Sequence, residues 1–364
     1  MSKPFSIKII NSIFKIFSSI LPVKKRVLFL GSPRNSTLME NDQLVYDALT
    51  CDKKVIIKPM PHSPLDILYI SFFIMTSKVI VLDDNYRYFA YIPLKNKQRL
   101  VQLWHGPGAF KKVALALPNH QQIEEYTHGQ YDAFIISSPH VSDHFENCFK
   151  LSPNIIKPLG YPLSDLLINK QTELKQEFLD KFPEMKDKNV ILYLPTYRRY
   201  EHMDLLDFDY EIDWKQLNQY LTETNSVFLV KRHPLQIHNK IEFVPKNYER
   251  IIDLGDVSYL SMMAGADVFI TDYSSAFFDY LLLNKPIIFY CTDAEEYLSK
   301  NGIYLKFPED LPGIYCETFN ELLNSLNNLE NEVNYKEFKD KYMESCDGYS
   351  TEKVVNLIMD YLNE

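Results

Sequence analysis

ADVFITDYSSAFFD, residues 266–279, passes from an apolar run through a polar turn into a second apolar run. The first part is short, β-branched and aromatic, as a buried strand requires. Thr271–Ser275 supplies turn formers, and serine is a favoured residue at a helix start, so a helix is expected from about Ser274. Strand, turn and helix in this order form half of a doubly wound α/β unit. The alternation extends in both directions. Upstream, Val190–Leu194 and Ser226–Lys231 read as strands, and Gln216–Thr222 and Val257–Ala264 as helices. Downstream, Pro286–Tyr290 is a strand and Phe319–Leu326 a helix.

A similar rhythm occupies the first half of the chain. Arg26–Gly31, Val55–Lys58, Lys78–Leu82, Leu100–Trp104 and Ala133–Ser137 are expected strands, with helix-like Leu38–Leu49 and an apolar helix at Leu65–Met75. The Gly160-Tyr161-Pro162 turn and a polar helical stretch at 169–188 separate the two halves. The reading is α/β, with two Rossmann-like doubly wound domains at 26–165 and 166–335, helices at 336–364, and a ligand crevice between domains at the strands' carboxyl ends. Residues 1–25 stand apart. Residues 5–22 combine Ile, Phe and Leu with Lys8 and Lys15, and Lys24, Lys25 and Arg26 follow. Basic residues within and after the apolar run argue against a secretory signal and for a helix lying on an anionic membrane, or one packed on the protein's own core.

The bulk properties exclude several classes. With 364 residues, 46% hydrophobic and 24% charged, the chain is long enough for two cores and not disordered. A net charge of −9 disfavours a general nucleic-acid binder. Its five cysteines form no C-x-x-C pair, so neither a disulfide framework nor a zinc site is expected, and a reducing compartment fits. No G-x-G-x-x-G or P-loop is present.

Four clusters carry chemistry, each directly after an expected strand. In Trp104-His105-Gly106-Pro107-Gly108, followed by Lys111-Lys112, the imidazole sits where the chain leaves the sheet, and Gly106 keeps bulk away from a ligand. In Pro195-Thr196-Tyr197-Arg198-Arg199, Arg198 can fork onto a phosphate. Lys231-Arg232-His233-Pro234 gathers three cations suited to an anion. In Thr271–Asp279, free backbone N–H groups at a helix start combine with the Ser274 and Ser275 hydroxyls into a phosphate cradle. Asp272 and Asp279 are expected to hold the turn and helix, because a carboxylate repels phosphate. Each cluster also has a plainer structural reading: a loop-bonding histidine, solvated arginines, a capped helix.

In order and spacing, these motifs strongly resemble the CDP-glycerol:poly(glycerophosphate) glycerophosphotransferases of teichoic acid and capsule synthesis. Asn284-Lys285-Pro286-Ile287-Ile288-Phe289-Tyr290, Asp293, Tyr297, Gly302 and Pro312-Gly313 add to the resemblance, which runs from about Arg26 onward and is most similar to the compact, primase-like members. One departure is Leu163, which stands where the family often has arginine in Gly-x-Pro-Arg-x-Asp. The resemblance implies a GT-B fold, a donor-binding second domain and an acceptor-facing first domain. It implies glycerol-phosphate transfer from CDP-glycerol to a lipid-linked or polymer acceptor at the cytoplasmic face of the membrane. It also implies no metal or cofactor. On this reading His105 and His233 are catalytic, and Arg198, Lys231, Thr271, Ser274 and Ser275 bind the donor. Gly106, Asp272 and Asp279 support the site. The alternatives are a CDP-ribitol donor, a nucleotide-sugar glycosyltransferase of the same architecture, and an inactive nucleotide-binding scaffold.

Overall fold

A computed structural model describes residues 5–32, 36–117, 124–196, 198, 210–232, 244–255, 257–329 and 333–364. The chain divides into two compact units, Met1–Asp165 with Asp340–Glu364, and Leu166–Lys339.

The first unit is built on a parallel six-stranded sheet in the order β2-β1-β3-β4-β5-β6. Its strands are β1 Lys24–Leu30, β2 Lys53–Ile56, β3 Ser77–Leu82, β4 Arg99–Gln102, β5 Ala133–Ile135 and β6 Ile156–Lys157. Helices on both sides bury the central strands, so these read as continuous apolar runs rather than alternating ones. Val27–Leu30 and Val79–Leu82 are fully enclosed. The last helix, Ser350–Asn363, belongs to this unit. It inserts Val354, Ile358 and Leu362, one helical stripe, into the cluster around Val27, Phe29, Val79 and Val81. Asp165 accepts the Ser350 and Thr351 N–H groups at 2.9 and 2.7 Å, satisfying that helix start. Gly160 has φ +80°, and a Cβ there would lie 2.2 Å from Ser350 Oγ and 2.4 Å from Ser345 O. Only glycine fits where the C-terminal segment crosses.

Helices α1 Phe5–Ile20, α2 Glu40–Ala48 and α3 Pro64–Thr76 complete the part of this unit that matters here. α1 packs Ile7 against Ala90 and Tyr126, and Asn11 donates to the carbonyls of Ala90 and Tyr91. Its other face leaves Ile9, Ile13, Ile16, Phe17 and Ile20 exposed. α3 is started by a capping box between Ser63 and Asp66, with Pro64 in its first turn. Its sequence reads as a core helix, but Leu65, Leu68, Tyr69 and Phe72 face outward. Lys95 Nζ donates to Leu21 O just beyond α1 and to Met75 O of α3, at 2.6 and 3.2 Å, so the two helices end side by side. Among the described residues, no helix is long and apolar enough to cross a membrane.

The second unit carries a parallel sheet in the order β12-β11-β10-β7-β8-β9. Its strands are β7 Asn189–Leu194, β8 Ser226–Val230, β9 Ile251–Asp253, β10 Val268–Thr271, β11 Ile287–Tyr290 and β12 Ile314–Cys316. β6, β9 and β12, absent from the sequence reading, are edge strands of two or three residues.

In each sheet the strand order reverses once, between β1 and β3 and between β7 and β10. Chains leaving such a pair diverge, and the gap outside their carboxyl ends is where open α/β sheets bind ligands. Gly31-Ser32 and Asp83-Asp84 follow the first pair; Pro195–Arg198 and Asp272–Ser275 follow the second.

Candidate functional site

His105 lies three residues beyond β4, half-buried. Its Nδ1 donates to the main-chain oxygen of Asp83, beyond β3, at 2.5 Å. A carbonyl only accepts, so Nδ1 carries the proton and Nε2 the lone pair. The Trp104 indole stacks on the imidazole at 4.7 Å and 30°. Trp104 has φ 59°, left-handed and strained for so large a side chain. A Cβ on Gly106 would lie 3.1 Å from the indole nitrogen, so a larger residue there would press on the ring that orients His105.

Residues the sequence reading did not assign surround this turn. Gln102 Oε1 accepts the Trp104 N–H at 3.0 Å, and Asn41 of α2 donates to the Trp104 carbonyl at 3.1 Å. Ser32 donates to Asp84 at 2.6 Å. Asp42 and Asp83 are buried, and their carboxyl oxygens meet no donor. Burial, then the neighbouring Asp83, holds the Asp42 carboxyl well above its usual range. Burial, then Asp84, pushes Asp83 up to about 7. Gln102 was the available signal: an amide closing an otherwise apolar strand.

In the second unit the Thr271–Ser275 turn follows β10. Thr271 donates to Leu194 O at 2.8 Å. Asp272 is fully buried and accepts from the N–H groups of Thr196 and Tyr273 at 2.8 and 2.6 Å. Asp279 accepts from Tyr259 Oη at 2.8 Å. The helix begins at Ala276, two residues later than expected, and Ser274 Oγ accepts the Ala276 N–H at 3.3 Å.

Arg198 differs most from its sequence reading. Its guanidinium is 2% exposed and spans two carboxylates. Nε and Nη2 fork onto Asp293 at 2.6 and 2.8 Å, while Nη1 reaches Asp272 at 2.8 Å and Thr196 O at 2.5 Å. Tyr273 and Tyr297, stacked 3.8 Å apart, lie 5.0 and 5.1 Å from the guanidinium carbon. Burial opposes its charge, but Asp272 and Asp293 more than offset this and raise its pKa further. The arginine holds the loop after β7 to the ends of β10 and β11 instead of presenting an open fork. Asp293, 95 residues away, is the partner that local sequence does not reveal.

Beyond β8, Lys231 Nζ donates to Gly255 O at 2.5 Å and Arg232 pairs with Asp253 at 2.6 Å. His233 lies outside the described residues. A cavity of about 790 Å³ opens beside Asp293, lined by Glu211, Glu295, Glu296, Ser299 and Glu317 among others. Carboxylates accept from hydroxyl and amino groups and repel phosphate, so this cavity suits the uncharged parts of a ligand.

Residues 37–360 match the family described as CDP-Glycerol:Poly(glycerophosphate) glycerophosphotransferase. The teichoic acid ribitol-phosphate primase of Bacillus spizizenii is 30% identical over 99% of this chain and 98% of its own. The teichoic acid glycerol-phosphate primase of Bacillus subtilis is 28% identical over 83% and 78%. Among solved structures, an H548A form of the wall teichoic acid polymerase TagF superposes with a TM-score of 0.80 at 22% identity, covering 97% of this chain and 93% of that one. The fold is GT-B.

Proposed function

The chain belongs to the CDP-glycerol:poly(glycerophosphate) glycerophosphotransferase family, a family of teichoic acid phosphotransferases, and from this premise we propose that it moves a polyol phosphate from a CDP-linked donor to an acceptor hydroxyl. The acceptor oxygen attacks the β-phosphorus, the bond from that phosphorus to CMP breaks, and CMP leaves with the electron pair. His105 Nε2 takes the acceptor's proton. The observation that carries this role is the bond from Nδ1 to the Asp83 carbonyl, which leaves a lone pair on Nε2.

In the second unit the diphosphate is assigned to the backbone N–H groups and hydroxyls at Ser274–Ser275, with Lys231 and His233 as neighbouring cations. Arg198, Thr271, Asp272 and Asp279 shape that turn from behind. The acidic cavity beside Asp293 suits the ribose hydroxyls and the cytosine amino group.

The family description favours glycerol phosphate as the transferred group. Ribitol phosphate is the second reading, supported by the ribitol-phosphate primase matched along nearly its whole length. The acceptor is assigned as a lipid-linked saccharide or growing polymer at the cytoplasmic membrane face. The outward apolar stripe of α1 supports this, together with a sequence that carries no acidic residue before Glu40.

The test is CMP release by purified protein from CDP-glycerol and CDP-ribitol, with and without a synthetic lipid-linked acceptor. Acceptor-dependent release from one donor is expected, and His105→Gln should lower it by about two to four orders of magnitude. Release from neither donor refutes the transfer; near-normal turnover by His105→Gln refutes the base.

A further inference from the structure

The strained Trp104 is held at both ends of its peptide unit by side chains that touch nothing catalytic. A left-handed tryptophan persists only where its surroundings over-determine it. Here the N–H goes to Gln102 Oε1 at 3.0 Å and the carbonyl receives Asn41 Nδ2 at 3.1 Å. Both amides are enclosed, Gln102 completely and Asn41 to 7% exposure. Their other ends are also engaged. Gln102 Nε2 donates to Asp84 O at 3.1 Å and Tyr131 Oη at 3.3 Å, and Asn41 Oδ1 accepts the Leu163 N–H at 2.9 Å. Consecutive carbonyls of one loop thus receive Gln102 at Asp84 and His105 at Asp83. The indole packs edge-on to Phe149 at 4.9 Å and lays its face on the imidazole.

We infer that Asn41 and Gln102 are positioning residues for the transfer reaction, clamping Trp104 in its left-handed turn so that His105 Nε2 keeps one direction. This rests on the reading of His105 as the base. A base that must meet a hydroxyl within hydrogen-bond reach loses rate when its ring swings, even with its chemistry unchanged. Neither amide is placed near the donor, so donor affinity should not register the loss.

The experiment is a double-mutant cycle between position 41 and position 105, read by CMP release at saturating donor and acceptor. Donor affinity is measured calorimetrically, and folding by thermal melting. Asn41→Asp retains size and the acceptor for Leu163 while removing the donor to Trp104, and Asn41→Ala removes both. Each should lower kcat at least tenfold with the donor Kd within twofold. In a His105→Ala background rescued with free imidazole, the same substitutions should change the rate less than twofold, because a diffusing base needs no aiming. Gln102→Met, which retains bulk and removes both amide functions, should behave like Asn41→Ala. Equal losses in both backgrounds, or no loss with His105 present, overturn the clamp and leave the base reading standing. If His105→Ala without imidazole turns over normally, the base reading fails and the clamp with it.

Discussion

Replacing Asp293 with alanine tests what Arg198 is for. The substitution removes the carboxylate that accepts Nε and Nη2 at 2.6 and 2.8 Å, together with the acceptor of the Tyr273 hydroxyl at 3.1 Å. The guanidinium, 2% exposed, then stays buried with Asp272 as its remaining described carboxylate partner. Breaking one side of a buried pair costs about 3–5 kcal/mol, chiefly because the partner's charge remains desolvated. At about 2–4 °C per kcal/mol for a domain of this size, the second unit should melt roughly 6–20 °C lower. The chain has two tryptophans, Trp104 in the first unit and Trp214 against the core of the second. In a Trp104→Phe background, Trp214 fluorescence therefore reports the second unit alone. Tyr273→Phe, which loses one hydrogen bond, should cost only about 1 kcal/mol. Donor binding discriminates further. If Arg198 were a phosphate fork held in reserve, removing Asp293 would release it and strengthen donor binding. The structure predicts weaker binding, because the loop after β7 loses its tie. A destabilisation below about 1 kcal/mol, or tighter binding of CDP-glycerol and CDP-ribitol, would refute the structural role.

Ser274→Ala with Ser275→Ala should weaken donor binding about 10- to 100-fold, the loss expected for hydrogen bonds to a charged group, as measured by calorimetry; unchanged affinity removes the cradle. Phe17→Lys on α1 and Phe72→Lys on α3 should each move protein from sedimenting anionic liposomes to the supernatant, and together more so. Substitution is preferable to deleting residues 1–22 because Ile7 and Asn11 pack into the first unit; undiminished sedimentation would exclude both faces. Asp83 has a folded pKa of about 7, raised by burial from a reference value of 3.8. The folded state therefore holds this proton more tightly than the unfolded state does. The stability this contributes is complete below about pH 4 and is lost as pH rises through about 7. The stability of Asp83→Asn relative to the unsubstituted protein should accordingly increase between those values and level off above, as followed by urea unfolding; a flat difference would place the titration elsewhere.

Burial decided how much of this was legible in the sequence. β1, β3, β7, β8 and β10 are covered on both faces and announce themselves as apolar runs. β6, β9 and β12 pair on one side only and are too short to carry a pattern. His105 and the Asp272 turn were visible because each follows a strand directly. Their supports were not, since Asn41 meets Trp104 across 63 positions and Arg198 meets Asp293 across 95. A lone arginine after a strand looks solvent-facing until its carboxylates are placed around it. α3 misled in the opposite sense, for a uniformly apolar helix reads as core although one face of this one is uncovered.

The closing helix Ser350–Asn363 sets an order on biosynthesis. The ribosome releases β1 and β3 early, yet the stripe of Val354, Ile358 and Leu362 that covers them is made near the end of the described chain. At about 5–20 residues per second, some 10–40 s separate the synthesis of Asp165 from that of Leu362. Residues 166–339, contiguous in sequence, can collapse within that interval. The first unit waits throughout with an apolar face uncovered, a natural client for a holdase. Translation that stalls after Lys339 would therefore leave a sound second unit attached to an unfinished first one, and quality control would recognise the end of the molecule that was made first.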